Sequence, residues 1–491
     1  VIEIIGHVND PGTDIMAIVK THQIPTVFSE AVLEQAAAAP QSVMEEALEN
    51  RRDFRTWQTV TIDGEDAKDL DDAITLCRTE RGYRLGVHIA DVSHYVTENS
   101  PLDLTARERG TSVYLVDRVI PMLPHALSNG ICSLNQGTDR LTLSCIMDMD
   151  EEGNIKDHEI TEGVIRVDRR MTYTAIRQIL EDQNPEVMEA YAEFIPMFEL
   201  MQELAGKLRR KRHDRGSIDF DVPETKIRLD AQGRVVEIKP YETNTATRII
   251  EDFMLAANET VAEHFYWQDM PFIYRSHEKP DGDKLQKLRL FIENFGYHLH
   301  LGGDELHPKK LQQLIEQVAG TEEELLISRL TLRSMQQARY TTTADGHFGL
   351  AANYYCHFTS PIRRYPDLQI HRIIKEALHG EINEKRIAHY KALLPEIAVH
   401  SSETERRAEE AERDTIKLKK AEYMEQHIGE EYEGIISGVN AFGFYVELPN
   451  TIEGMVHVTT LQDDYYEYDE EQYRLVGERT GKVYDLGRRL R

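Results

Sequence analysis

Four aspartates, Asp63, Asp69, Asp71 and Asp72, are crowded into ten consecutive residues of this chain. Carboxylates held this close repel one another and raise one another's pKa, and folded proteins relieve that repulsion with a divalent cation that prefers hard oxygen ligands. Magnesium sites of this kind commonly serve phosphoryl chemistry. The spacing therefore predicts a Mg²⁺ site that acts on a phosphate ester.

The simplest alternative to a metal site is a solvated acidic loop, because runs of charge are usually exposed. Against it, the alternating residues 59–62 and 73–76 predict β-strands on either side, so the loop is short and anchored at both ends. A calcium-binding EF-hand fails on spacing, since Ile74 occupies the position where its closing glutamate would stand. The spacing therefore disfavours structural calcium.

Length and composition indicate a soluble, multidomain protein. The chain has 491 residues, of which 41% are hydrophobic and 29% charged. No apolar run approaches a membrane span and no signal peptide is visible, so we expect no membrane partner and a cytoplasmic location. The chain starts at Val1 rather than Met, which suggests a fragment of a longer protein.

The net charge and the cysteine content give weaker information, on nucleic-acid partners and on the redox compartment. The net charge of −29 argues against a nucleic-acid partner at first sight, although a narrow channel lined with arginine binds a strand inside an acidic surface. The four cysteines show no Cys-x-x-Cys spacing and fit a reducing compartment, where thiols pack as small apolar groups. Neither disulfides nor zinc are predicted.

Periodicity divides the chain into four parts. Residues 1–28 read as strand-rich, the tail of a domain, and residues 29–53 as a helical connector. Residues 54–427 alternate short strands with long amphipathic helices, which predicts a mixed α/β domain that ends in a long charged helix over about 401–423. Residues 428–491 alternate as strands with glycines at the bends, the rhythm of an OB-fold barrel, and the chain stops before such a barrel is expected to close.

Five further motifs accompany the aspartates in a fixed order. They are His-Ile-Ala-Asp-Val-Ser at 88–93, Gly-Thr-Ser-Val-Tyr at 110–114, Pro-Met-Leu-Pro at 121–124, Leu-Asn at 134–135, and His-Phe-Thr-Ser-Pro-Ile-Arg-Arg-Tyr-Pro-Asp at 357–367. Together with the aspartates, this ordered set resembles the RNB family of exoribonucleases over essentially the whole chain.

The resemblance implies a fold and an activity. Members of the RNB family carry a mixed α/β catalytic domain flanked by OB-fold barrels, and they degrade RNA processively from its 3′ end to nucleoside 5′-monophosphates with the help of Mg²⁺. Residues 1–28 would then be the remnant of the second of two N-terminal cold-shock-type domains. Residues 428–491 would be the C-terminal RNA-binding barrel.

The resemblance also assigns the metal and catalytic residues. Asp63 and Asp72 are expected to hold the more permanent of two Mg²⁺ ions, Asp71 to help bind the second, and Asp69 to orient these ligands. The choice between Mg²⁺ and Mn²⁺ stays open, because hard oxygen ligands accept both ions. Arg363 is the second catalytic residue beside Asp71, since a guanidinium suits a phosphate whose charge grows in the transition state.

Several residues match positions that contact RNA in the family. Tyr114 would stack near the 3′-terminal bases and Phe220 would clamp those bases from the far side, although a lone Tyr in a strand is more often core. Arg364 would grip phosphate, with a structural pair to Asp367 as the alternative.

A carboxylate would contact the terminal ribose, with Glu251 favoured over its helix neighbour Asp252. Upstream, Arg209 belongs to a basic run that could grip phosphates or form a solvated helix face.

The barrel supplies the last candidates. Phe442, Phe444 and His457 fall where OB-fold proteins place stacking residues, and strand alternation predicts that the two phenylalanines share one face. Barrel core is the alternative for each of them. Residues 463–471 are too acidic to touch phosphate and are predicted to be a surface insertion.

The preferred hypothesis is a monomeric exoribonuclease acting on single-stranded RNA, with the ribosome or RNA-decay factors as candidate partners. One rival is an RNA-binding protein that kept the fold and lost catalysis, which the complete aspartate set and Arg363 disfavour. Another is a metal-dependent phosphohydrolase of small substrates, which the aromatic residues and the barrel disfavour.

Overall fold

The structure is a computed structural model, and it describes residues 4–7, 10–220, 224–241, 243–299, 306–321, 323–470 and 472–491. The helices are α1 (Thr13–Thr21), α2 (Glu30–Ala37), α3 (Val92–Tyr95), α4 (Pro101–Arg109), α5 (Tyr173–Leu180), α6 (Pro185–Ala190), α7 (Ile195–Arg215), α8 (Thr245–Trp267), α9 (Gly282–Glu293), α10 (Pro308–Val318), α11 (Glu324–Ser334), α12 (Tyr365–Leu378) and α13 (Glu384–Glu425).

The strands are β1 (Arg52–Asp53), β2 (Val60–Asp63), β3 (Asp72–Thr79), β4 (Gly82–Ala90), β5 (Val113–Tyr114), β6 (Val119–Ile120), β7 (Asp139–Met149), β8 (Ile155–Arg166), β9 (Arg169–Thr172), β10 (Thr225–Leu229), β11 (Val235–Pro240), β12 (Tyr274–Ser276), β13 (Arg339–Thr341), β14 (Gly434–Asn440), β15 (Gly443–Glu447), β16 (Glu453–His457), β17 (Tyr466–Asp469), β18 (Arg474–Gly477), β19 (Val483–Asp485) and β20 (Arg489–Leu490). A π-helical turn covers Ala126–Ile131, and 3₁₀ turns cover Glu45–Leu48 and Val458–Thr460.

A seven-stranded mixed sheet forms the centre of the molecule, in the order β1-β8-β7-β4-β3-β2-β9. Strands β3, β4, β7 and β8 are antiparallel neighbours, whereas β1 and β9 join the sheet in parallel. Strand β4 is buried along nearly its whole length, and side chains of α7, α8, α12 and α13 share its hydrophobic core. The predicted mixed α/β domain is confirmed.

The long charged helix is confirmed and extends further than predicted. Helix α13 is 42 residues long and continues through Pro395. Where it passes the loop after α4, Gly110 adopts a φ of +67°, and a Cβ at Gly110 would overlap the hydroxyl group of Thr404 on α13. Only glycine allows this approach, so the helix and the loop are closely fitted.

The prediction of strands in residues 1–28 is wrong for the part that the structure describes, where residues 13–21 are helical. Ile15 and Val19, four residues apart, are both buried, as expected for one face of a helix. Val19 shares a small hydrophobic cluster with Ala411 of α13. In the predicted connector 29–53, helix α2 is followed by the 3₁₀ turn and β1.

The C-terminal region forms two sheets, β16-β15-β14-β20 and β17-β18-β19. The final strand, β20, pairs antiparallel with β14. The acidic run was wrongly predicted to be a surface insertion, because its described part contains β17, whose Tyr466 is buried against Tyr484. Strand alternation explains the error, since Tyr466 points inward while Glu467 is exposed. Across the described ranges, no helix is long and apolar enough to cross a membrane.

Candidate active site

The acidic loop connects two neighbouring strands of the central sheet. Asp63 is the last residue of β2 and Asp72 is the first of β3, as the predicted flanking strands require. The Arg170 guanidinium donates hydrogen bonds to three backbone carbonyls between residues 64 and 67, at 2.6 to 3.4 Å. The Ser133 hydroxyl accepts from the Leu70 amide at 3.0 Å and donates to the Lys68 carbonyl at 2.8 Å. These contacts hold the loop in one conformation.

Two carboxylates of the loop are buried without full compensation. Oδ2 of Asp63 and Oδ2 of Asp71 have no hydrogen-bond donor among the residues that the structure describes. Burial raises the pKa of Asp71 well above its ordinary value, and burial together with the charge of Asp72 does the same for Asp63. Burial also raises the pKa of Asp72 to about 6. The charges of Arg170 and Arg363 offset this effect only in part, so the ionised cluster needs further positive charge.

A hard divalent cation fits this donor set, because bare, buried carboxylate oxygens are the ligands that Mg²⁺ and Mn²⁺ prefer. The four aspartates do not form a complete coordination shell, since the described residues contain no group of three or more His, Cys, Asp or Glu in metal-binding geometry. The unpartnered oxygens of Asp63 and Asp71 are thus the observation that supports an ion here.

The turn before α12 brings an arginine to the acidic loop. The Ile362 amide donates to Oδ1 of Asp71 at 2.9 Å, and Nε of Arg363 lies 3.8 Å from Oδ2 of the same carboxylate. Nη2 of Arg363 donates to the Ser360 hydroxyl at 3.0 Å. The Arg363 side chain remains 41% exposed, so it can reach a ligand beside Asp71. The structure thus brings the two predicted catalytic residues together.

Arg364 has a different environment. Its Nη2 atom donates to the fully buried Asp367 carboxylate at 2.7 Å, and Asp367 also accepts from the Ser360 amide at 2.8 Å. The charge of Asp367 is the main factor that raises the pKa of Arg364 against the opposing effect of burial. The structural pair, which was the alternative for Arg364, is therefore present.

Tyr114 lies beside the acidic loop. Its ring is 38% exposed, and its hydroxyl donates to Asp69 at 3.1 Å. Burial of the phenol is the main cause that raises the pKa of Tyr114 above its usual range. The preceding Ser112 amide donates to the Arg363 carbonyl at 2.9 Å. One backbone contact thus fixes the tyrosine and the arginine relative to each other.

On α8, two adjacent carboxylates face different directions. Asp252 is buried and accepts from Arg212 at 2.5 Å, while Glu251 is exposed. Arg209 lies 3.4 Å from Asp252 and 3.8 Å from Glu251, so its charge is already opposed by both carboxylates. Glu251 is consequently the accessible member of the pair.

Among the contacts of the described residues, Phe220 makes none with the aspartates. It is half-buried against a second hydrophobic cluster, which α9, α10 and α11 form with the C-terminal barrel. The backbone just before it is fixed, since the Ile218 amide donates to the Gly349 carbonyl at 2.8 Å.

The prediction that Phe442 and Phe444 share one face is wrong. Phe442 lies in the turn before β15, outside the alternation, and is 66% exposed. Phe444 is 2% exposed and stacks on Tyr484 with ring centroids 4.7 Å apart, so it belongs to the barrel core. His457 is half-buried beside Phe442, because it pairs with Gly443 and the next amide donates to the Phe442 carbonyl. Phe442 and His457 remain candidates for an RNA contact.

Comparison with known proteins agrees with this architecture. The RNB domain family matches residues 51–380, and the S1 RNA binding domain family matches residues 425–483. Fold and site define a multidomain protein with a mixed-sheet catalytic domain and a C-terminal RNA-binding barrel. The chain belongs to the RNB family.

Relatives within that family include ribonucleases R. Ribonuclease R 1 of Lactococcus lactis is 49% identical over 100% of this chain and 60% of its own length, and ribonuclease R of Thermotoga maritima is 45% identical over 99% of this chain and 69% of its own length. The solved structure of Mycoplasma genitalium RNase R in complex with ribose methylated single-stranded RNA has a TM-score of 0.93 and 29% identity, covering 99% of this chain and 76% of that chain. The chain spans about three fifths of the length of the Lactococcus relative.

Sequence reasoning missed the residues that position the site. Arg170 and Ser133 reach the acidic loop from 103 and 65 residues away, and neither lies in a local pattern that points to it. Ser360 could have been found from the sequence, because it precedes Pro361 in the motif that contains Arg363.

Proposed function

We propose that this protein is a Mg²⁺-dependent exoribonuclease that hydrolyses single-stranded RNA processively from the 3′ end to nucleoside 5′-monophosphates. The observation that carries the proposal is the pair of unpartnered, buried oxygens on Asp63 and Asp71 beside the accessible Arg363. Membership of the RNB family and the S1 domain match support RNA as the substrate polymer. The relative solved with single-stranded RNA supports an unpaired strand.

In this proposal Asp63, Asp69, Asp71 and Asp72 hold two Mg²⁺ ions, with Mn²⁺ as a substitute. When bound, such ions make water more acidic and neutralise charge on the leaving oxygen. Arg363 donates hydrogen bonds to the phosphate as negative charge develops on it. Asp71 keeps its position through the Ile362 amide, which leaves its second oxygen free for a ligand.

The remaining residues bind and orient RNA. Tyr114 offers an exposed ring on which any base can stack, as a processive nuclease requires. Glu251 contacts the terminal ribose, where a hydroxyl group distinguishes RNA from DNA. Phe442 and His457 contact the RNA strand at the barrel, and Phe220 and Arg209 lie along the path of the RNA. The proposed setting is a monomer in the cytoplasm, with ribosomes or RNA-decay factors as partners.

A digestion of RNA labelled at its 5′ end tests the proposal. When Mg²⁺ is present, we expect full-length RNA to be converted to short end products that keep the label, with few products of intermediate length, and we expect no shortening when EDTA is added. A 3′-tailed duplex, resolved at single-nucleotide length, reports direction, end product and tolerance of structure in the same gel. RNA that binds and is never shortened would make the protein a catalytically silent RNA binder.

A further inference from the structure

Three aromatic side chains form one surface cluster at the C-terminal end of α8, here called the aromatic patch: Tyr266, Trp267 and Tyr354. Trp267 is 70% exposed and Tyr266 is also exposed. The ring centroid of Tyr266 lies 5.3 Å from that of Trp267 and 4.4 Å from that of Tyr354. Single exposed apolar side chains are ordinary, but contiguous exposed rings mark a binding surface.

Two carboxylates border the aromatic patch. Glu263 precedes Trp267 by four residues, so both lie on the same face of α8. Asp269 follows two residues after Trp267 and is exposed. Glu263 adds to the effect of burial in raising the pKa of Tyr354. Asp269 adds to the effect of burial in raising the pKa of Tyr274, on which Tyr266 and Tyr354 of the aromatic patch act as well. In the described part of the chain, Glu263 and Asp269 form no ion pair, whereas the preceding Glu259 pairs with Arg215 at 2.8 Å.

This combination selects the charge of the ligand. A phosphate backbone that crossed the rings would meet two uncompensated carboxylates on a protein whose net charge is −29. A guanidinium group gains from both parts of the surface, because it stacks on an aromatic face and pairs with carboxylates. We propose that the aromatic patch is a docking surface for an arginine-rich segment of a partner protein.

The docking surface is separate from the proposed active site. Trp267 lies 16 residues further along α8 than Glu251, which corresponds to about 24 Å along a straight helix. A segment bound at the aromatic patch therefore leaves the acidic loop and Arg363 accessible. The inference does not depend on catalysis by the chain.

Tryptophan fluorescence tests this inference directly, because the chain contains only two tryptophans. In a Trp57→Phe background, Trp267 is the sole reporter. We expect an oligoarginine peptide to change the emission of Trp267 saturably at physiological salt, and to bind several-fold more tightly than an oligolysine peptide of equal length. With a fluorescein-labelled peptide, Trp267→Ala and the double variant Glu263→Gln/Asp269→Asn should each weaken binding about tenfold.

Tyr465→Ala is the matched control, since Tyr465 is an exposed aromatic residue next to Asp464 in the barrel. It should leave peptide affinity unchanged, and thermal unfolding should confirm that all variants are folded. Equal affinity for oligoarginine and oligolysine, or equal losses in Tyr465→Ala and Trp267→Ala, would overturn the proposal in favour of general charge attraction. A single-stranded oligoadenylate that changed Trp267 emission at equal or lower concentration would overturn it in favour of an RNA surface.

Discussion

At the scale of single residues, Asp71 connects the two halves of the site. One oxygen is fixed by the Ile362 amide, while the other faces Arg363 and has no hydrogen-bond donor among the described residues. The sequence predicted both residues by resemblance, because each lies in a compact motif. It could not predict that the Ile362 amide, next to Arg363, reaches Asp71 from 291 residues away.

Substitution of Asp71 by asparagine tests its role. The amide has the same shape and keeps an oxygen for the Ile362 amide, but it lacks the charge that a cation requires. We expect turnover of single-stranded RNA to fall at least about 100-fold while RNA affinity stays nearly unchanged. Rates from a gel assay and affinities from fluorescence anisotropy provide the measurement. Asp66→Asn, an exposed change in the same loop, is the control, and robust cleavage by Asp71→Asn would refute the assignment.

Arg363 and Arg364 are adjacent, but we expect their substitution to have different effects, on catalysis for Arg363 and on stability for Arg364. Arg363→Ala removes an accessible guanidinium, so kcat should fall by roughly 100- to 1000-fold with unfolding free energy unchanged within about 0.5 kcal/mol. Arg364→Ala leaves the buried Asp367 without its cation and should cost about 3–5 kcal/mol of unfolding free energy. Urea unfolding and single-turnover kinetics separate the two effects. A loss of affinity without loss of kcat in Arg363→Ala would reduce that residue to a binding contact.

At the scale of elements, residue periodicity predicted the strands around the acidic loop, and the run of charged residues over about 401–423 predicted the second half of α13. The same rule failed where a turn interrupts the pattern. Phe442 and Phe444 are two residues apart, yet Phe442 precedes the strand that begins at Gly443. Residues 1–28 were predicted to be strand-rich, whereas the four-residue spacing of the buried Ile15 and Val19 is that of one face of a helix, which packs near Ala411.

The two barrel phenylalanines provide a paired test at this scale. Phe444→Ala removes a buried ring stacked on Tyr484 and should lower the unfolding free energy by about 3–5 kcal/mol. Phe442→Ala should change stability by less than about 0.5 kcal/mol and should weaken RNA binding, since stacking contributes roughly 1–3 kcal/mol per base. Thermal unfolding and RNA titration of the two variants give the answer. Unchanged RNA affinity in Phe442→Ala would remove that residue from the proposed RNA path.

At the scale of the whole molecule, stability depends on groups that burial keeps neutral. His88 lies inside the central sheet, with its ring nitrogens 2.8 Å from the Ser144 hydroxyl and 3.2 Å from the Thr75 hydroxyl. Burial lowers the pKa of His88 to about 3. The sequence showed this histidine only as part of a motif, because its burial results from the assembly of β3, β4 and β7.

This histidine predicts a pH dependence of stability. The pKa of His88 is about 3 in the folded protein and near 6.5 in the unfolded chain, so its contribution is fully present above pH 6.5 and is lost as the pH falls toward 3. We expect His88→Asn to be less stable at pH 7 but to lose about 1.4 kcal/mol less per pH unit between pH 6 and pH 4. Urea unfolding at several pH values measures the slope. The exposed His379→Asn is the control, and parallel slopes for His88→Asn and the parent protein would contradict the prediction.

The close fit of Gly110 and Thr404 has a geometric consequence for the barrel. Helix α13 runs on from Thr404 to Glu425, and β14 begins at Gly434 soon after it ends. Because the fit at Gly110 prevents the helix from rolling, every residue inserted beyond Thr404 would swing the barrel by about 100° around the helix axis. Insertions or deletions in α13 beyond Thr404 are therefore expected to keep the orientation of the barrel only when they add or remove whole helical turns.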